Sequence, residues 1–150
     1  MNSQFTLIEA AGNARPKVAG LAYSGGKMNL PGWQHPVVVA LDGLEIPPTV
    51  PLLTNHENRT DCRVGVVKAT IQDGALAIEG EIISDSAGAQ DIVAQCKAGA
   101  EWQLSIGADV QKSELVKAER EVNGQNITAP FYLVAKSVLR EVSVVAVGAD

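Results

Sequence analysis

The chain carries two histidines, His35 and His56, so each can be weighed separately as a proton carrier. His35 precedes Pro36 in an irregular stretch, whereas His56 closes an apolar approach, Leu52-Leu53-Thr54-Asn55-His56-Glu57, in polar surroundings. A lone histidine of this kind is more often a solvated surface residue than a catalyst, and gains chemical meaning beside a nucleophile it can activate. Ser105 is the candidate nucleophile. It lies in Gln103-Leu104-Ser105-Ile106-Gly107-Ala108, where a glycine two residues on would let a substrate or another backbone approach a strand closely. An unactivated hydroxyl is a weak nucleophile, so Ser105 needs a base, and that base needs an orienting carboxylate. Glu141, Asp109, Asp42 and Glu57 all have the right chemistry, and periodicity does not choose among them.

Other chemistries find less support. Cys62 and Cys96 lack the close Cys/His spacing of a zinc site, and in a chain without an export signal they read as free thiols. The glycines between Gly20 and Gly26 lack both the Lys-Ser/Thr ending of a phosphate loop and the strand-to-helix setting of a dinucleotide loop. Trp33 and Trp102 read as core or interface residues, since no aromatic-basic strip accompanies them. Twelve Lys and Arg against seventeen Asp and Glu give a net charge of -5, with no basic run, which argues against a nucleic-acid partner. No apolar stretch approaches the ~20 residues of a membrane helix, so no membrane partner, metal or cofactor is expected, and the product should be soluble and cytoplasmic.

The elements that must position these residues read as mainly β. At 150 residues, 46% of them hydrophobic and 19% charged, the chain is long enough for one core, and one domain over residues 1–150 is expected. Val, Ile and Leu recur in short runs between Gly, Pro and Asn, a pattern of many short strands. Strands are expected at 5–10, 17–23 and 37–41, and Pro47, Pro48 and Pro51 then break regular structure ahead of His56. Asp73-Gly74 between the runs 64–70 and 75–83 is the strongest hairpin signal. Ser84-Asp85-Ser86 offers caps for a helix through Lys97, with Gly99 beyond its end. From 102 to 110 the chain alternates, placing Ser105 on a polar face with Gln103, Gly107 and Asp109. A hairpin from 115 to 135 turning at Asn123-Gly124 follows, although 114–121 could equally form a short helix. A last strand at 138–147 puts Glu141 and Ser143 on one face and Arg140, Val142 and Val144 on the other.

Taken in order, five segments carry a further signal: Gly20-Leu21-Ala22-Tyr23 with Gly25-Gly26; Pro51-Leu52-Leu53-Thr54-Asn55-His56; Val64-Gly65; Trp102-Gln103-Leu104-Ser105-Ile106-Gly107-Ala108; and Leu139-Arg140-Glu141-Val142-Ser143-Val144-Val145. Together they resemble the caudovirus prohead serine protease family, the capsid maturation proteases of tailed phages and prophages, from about residue 17 to the end. The approach to His56 and the Ser-Ile-Gly strand are fairly specific in combination. The family is similar to the herpesvirus assemblins, which implies a herpesvirus-protease-like fold: a closed antiparallel β-barrel of about seven strands surrounded by a few helices.

The resemblance implies Ser105 as nucleophile and His56 as general base. Assemblins complete the triad with a second histidine, but His35 lies upstream in a segment that does not match. Phage relatives use an acid, for which Glu141 is the first choice and Asp109 the alternative. By analogy with assemblins, oxyanion stabilisation falls to Arg140, through a nearby backbone amide or its guanidinium. The implied activity is that of a serine endopeptidase in the host cytoplasm, inside the assembling prohead, cleaving scaffolding or delta segments and the major capsid protein and also itself. Self-association is implied as well. The competing expectations are a non-catalytic scaffold or binding module on the same barrel, and a small-ester hydrolase. The end at Asp150, just after a strand pattern, fits a natural terminus, a processed one, or the first part of a longer precursor.

Overall fold

The computed structural model describes residues 5–8 and 15–150. In chain order the strands are β1 (Phe5–Ile8), β2 (Lys17–Tyr23), β3 (Val37–Val39), β4 (Leu44–Glu45), β5 (Val50–Thr54), β6 (Arg63–Gln72) and β7 (Ala75–Ile82). The helix α1 (Ala87–Lys97) follows, and then β8 (Gln103–Val116), β9 (Arg120–Val122), β10 (Gln125–Ile127) and β11 (Phe131–Val145). Of the strand expected at 5–10, residues 9 and 10 lie outside the described part.

Local chemistry accounts for several of these elements. Asp73 and Gly74 both take positive φ, 51° and 75°, the conformation that lets a two-residue turn match the twist of β6 and β7. Asn123 and Gly124 repeat the device between β9 and β10, at 53° and 77°. The Ser86 hydroxyl accepts the Ala89 amide at 3.3 Å, satisfying one orphan donor at the start of α1, and Ala89 and Ile92 bury the helix's inner face. Val37, Val38 and Val39 are all buried, as a continuous apolar run requires. The helical option for 114–121 is not realised, because β8 runs on to Val116 and β9 begins at Arg120.

β11 is the spine. Along one edge it pairs antiparallel with β8 over the whole length, from Phe131 opposite Val116 to Val145 opposite Gln103, with register shifts around Lys136 and at Arg140. Along the other edge it pairs in succession with β3, β4 and β5, all parallel. The sheet then continues through β6, β7, β2 and β1 in antiparallel steps.

This corrects the expected closed antiparallel barrel surrounded by helices. Among the described residues the sheet is an open half-barrel with three parallel pairings, accompanied by one α-helix. Among the described residues β1 and β8 each pair with a single neighbour, and β8 comes up against β2 without forming a ladder with it. Two causes are visible. The second edge of β11 is divided among three short strands, because a 3₁₀ turn at Leu41–Gly43 and the prolines at 47 and 48 interrupt the incoming chain. The outer half of β8 carries exposed Asp109, Lys112 and Glu114, charges that discourage pairing at an edge.

The main core lies inside the half-barrel, where Leu52, Val64, Leu76, Leu104, Leu139 and Val142 are fully buried and Ile92 reaches in from α1. A smaller cluster of Val38, Val116, Val122, Ile127, Phe131 and Leu133 sits under the β9–β10 hairpin. The Asn123 side chain locks that hairpin down, donating to Val39 and Gly25 carbonyls at 2.8 and 2.9 Å and accepting from the Leu41 amide at 2.9 Å. Among the described residues no helix is long and apolar enough to cross a membrane.

Candidate active site

The antiparallel register of β8 and β11 creates the site. Ser105 stands directly opposite Ser143, and Gly107 directly opposite Glu141, so all four share one face of the two-stranded ribbon. The register shift between Leu139 and Glu141 leaves Arg140 as the extra residue of a bulge immediately before them.

His56 arrives from the opposite edge of β11. β5 runs parallel beside β11 and ends with Thr54 opposite Val144, and the Asn55 amide extends the ladder to the Val144 carbonyl at 3.2 Å. Asn55 and His56 then both adopt left-handed backbone, with φ of 52° and 59°. Two consecutive left-handed residues without glycine cost about 1–3 kcal/mol each, so the surroundings must hold them there. The Glu57 amide closes the turn on the Thr54 carbonyl at 3.0 Å, and the His56 amide donates to the Ser143 hydroxyl at 3.0 Å. The reversal sends the imidazole back across β11 to the ribbon face.

There the ring bridges a hydroxyl and a carboxylate. Its Nε2 lies 3.0 Å from Ser105 Oγ and its Nδ1 lies 2.5 Å from Glu141 Oε1. The carboxylate faces Nδ1, which fixes the neutral tautomer with the proton on Nδ1 and leaves Nε2 as an acceptor for the serine proton. The Glu141 hydrogen bond raises the His56 pKa above its ordinary value, prevailing over partial burial, which acts in the opposite direction. The imidazole is 42% exposed and the Glu141 side chain 13%, so a substrate can reach the ring while the carboxylate stays largely dry.

The other expected residues have different partners. Asp109 shares the alternation of Ser105 and Gly107, yet its carboxylate holds Arg140 Nε at 2.6 Å rather than His56. Asp42 lies in the 3₁₀ turn, and Glu57 pairs with Arg59. His35 packs beside the Tyr132 ring, with centroids 5.8 Å apart. Cys62 and Cys96 are free thiols.

Sequence reasoning reaches two further residues of the site only in part. Gly107 leaves room for the Glu141 carboxylate, which occupies the place where a β-carbon would stand. Glycine in a strand signals such an approach without saying what approaches. Ser143 is fully buried and touches both His56 and Glu141, and its alternation with Glu141 was the one signal available for it.

A hydroxyl, an imidazole and a carboxylate hydrogen-bonded in series make an arrangement able to deliver an activated oxygen nucleophile to an acyl carbon. A family model described as caudovirus prohead serine protease matches residues 42–150, which includes all three groups. No curated protein and no solved structure matches the chain.

Proposed function

Because the chain belongs to the caudovirus prohead serine protease family, we propose that it is an endopeptidase whose nucleophile, general base and orienting acid are Ser105, His56 and Glu141. The observation that carries the reading is the unbroken relay from Ser105 Oγ through the imidazole to the Glu141 carboxylate. In this mechanism Ser105 Oγ attacks the scissile carbonyl while His56 Nε2 takes its proton, and Glu141 stabilises the imidazolium that forms. The imidazolium returns the proton to the leaving amine, which departs and leaves an acyl-enzyme. Water, deprotonated by the same nitrogen, hydrolyses the ester and restores Ser105.

The substrates proposed are the scaffolding or delta segment and the major capsid protein, cleaved in the host cytoplasm inside the assembling prohead, with self-processing as a further activity. The chain acts as one protease domain that associates with itself. A high local concentration of substrate inside a closed shell would let modest affinity suffice.

The direct test is intact mass after treatment with a fluorophosphonate, which traps activated serines. One adduct is expected on the native chain and none on Ser105→Ala; an unlabelled native chain at every concentration would overturn the reading. The pH dependence follows from the raised His56 pKa. Only the neutral imidazole accepts a proton, so labelling should rise with pH through a midpoint above imidazole's ordinary value of about 6.5. A midpoint at or below that value would contradict the Glu141 contact.

For the oxyanion we propose Arg140. The bulge turns it toward Asp109, on the alternation that also carries Ser105, and its guanidinium is more than half exposed and able to exchange Asp109 for developing charge. Arg140→Ala should lower kcat for peptide cleavage by about 10²-fold with little change in KM, the magnitude typical of one oxyanion donor. An unchanged kcat would remove Arg140 from the mechanism.

A further inference from the structure

Ser143 is one of two buried serines in β11, and their situations differ. Ser137 Oγ is buried without a hydrogen-bond partner among the described residues. Ser143, with no exposed surface, makes two hydrogen bonds that each end on a different part of the site. Its hydroxyl donates to Glu141 Oε2 at 2.7 Å and accepts the His56 amide at 3.0 Å.

We propose that Ser143 is a positioning residue that sets the angle between the Glu141 carboxylate and the His56 ring, a proposal that rests on the triad reading above. Glu141 has two oxygens, and its side chain could rotate freely if just one were held. With Oε2 tied to Ser143, the carboxylate plane is fixed and Oε1 is left aimed at Nδ1. The second bond acts at the other end of the contact. His56 sits in left-handed backbone, and the Ser143 oxygen holds the amide of that strained residue in place. One hydroxyl thus fixes both the donor's backbone and the acceptor's second oxygen, so the two groups keep a common frame. The hydrogen bonds of the Ser143 hydroxyl go to Glu141 and the His56 amide, and that of Ser105 Oγ goes to His56 Nε2, so Ser143 acts through the other two groups.

The charged group acting on the imidazole is Glu141 from β11. The nearby loop charges Glu57, Arg59 and Asp61 are engaged with one another. Loosening the carboxylate should therefore show directly in the titration of His56.

The experiment is an NMR titration of the two imidazole rings in native protein, Ser143→Ala and Ser143→Cys, run beside fluorophosphonate labelling of the same samples. Cysteine refills the space but hydrogen-bonds weakly, so it separates lost packing from lost positioning. In both variants the His56 midpoint should fall toward the ordinary imidazole value, and labelling should slow by about 10- to 100-fold, as expected for a small misplacement of reacting groups. An unmoved His56 midpoint in Ser143→Ala, or native titration and labelling in Ser143→Cys, would overturn the proposal. If Ser143→Ala does not fold, Ser143→Cys decides alone. The titration needs no turnover, so a native chain that takes no label while its His56 midpoint falls in the variants would sink the protease reading and leave the role of Ser143 standing.

Discussion

Alanine at Ser105 and alanine at His56 are each expected to lower kcat for peptide cleavage by about 10⁶-fold, and the double variant to be no slower than either single one. The reason is the 3.0 Å contact between Nε2 and Oγ. In the proposed mechanism the serine is a useful nucleophile only while the imidazole removes its proton, and the imidazole has nothing to activate once the hydroxyl is gone. Each deletion therefore removes the same interaction energy, about 8 kcal/mol of transition-state stabilisation, and it can be lost once. KM should change little, because neither group is needed to hold the peptide. The check is kcat for each variant on a peptide taken from the capsid or scaffolding protein, measured at protein concentrations high enough to register slow turnover. A single variant retaining more than a few per cent of native kcat would show that the pair does not work as a unit. Stability offers a control: His56 is 42% exposed, so its removal should leave the fold intact, and loss of activity cannot be assigned to unfolding.

Much of this site can be read from the order of residues, and the part that cannot has a physical explanation. The Asp73-Gly74 and Asn123-Gly124 turns were accessible because a two-residue hairpin demands positive φ, a local requirement that few residues meet. The capped helix ending at Lys97 was accessible for the same reason. Local rules fail where a long strand is interrupted by polar residues. β11 looks like two strands, 127–135 and 138–147, because Lys136 and Ser137 break the apolar pattern, yet the chain passes through them as one strand that absorbs the irregularity in its register with β8. The three parallel pairings of β11 lie outside any periodicity argument, because they join segments about 90 residues apart. The closed barrel expected from resemblance gives way to an open half-barrel because closure depends on whether edge strands meet, which no short motif encodes. The triad candidates, by contrast, came from motif resemblance combined with alternation, and alternation is robust on a regular ladder: it set Ser105, Gly107, Glu141 and Ser143 on faces that the observed register then brought opposite one another. Alternation does not tell depth: Ser143 shares the face of Glu141 but is dry, its hydroxyl occupied on both sides.

Glu141→Gln is expected to lower kcat by about 10⁴-fold without altering the fold, and Gly107→Ala to reach part of that loss by displacing the same group. Glutamine is nearly isosteric, so it should remain beside Nδ1, but its amide can present N–H groups to the ring. The imidazole then favours the tautomer with its proton on Nε2, and that nitrogen can no longer accept the Ser105 proton. The His56 pKa should fall as well, because the hydrogen bond and the charge that raise it are both weakened or removed. Gly107→Ala attacks from the neighbouring strand. A β-carbon there would overlap the Glu141 carboxylate, which side-chain hydrogen bonds rather than main-chain rigidity hold in place, so relief should come from rotation of Glu141 rather than from the backbone. The fold should persist with Tm nearly unchanged, while kcat falls about 10²-fold through misplacement of the acid. Combining the two substitutions gives the decisive comparison. With glutamine already at 141, alanine at 107 should cost little more, since the group it displaces has lost its function. Equal and independent losses would instead mean that Gly107 serves the substrate's approach to β8, and that the space beside Ser105 is kept open for the peptide rather than for Glu141.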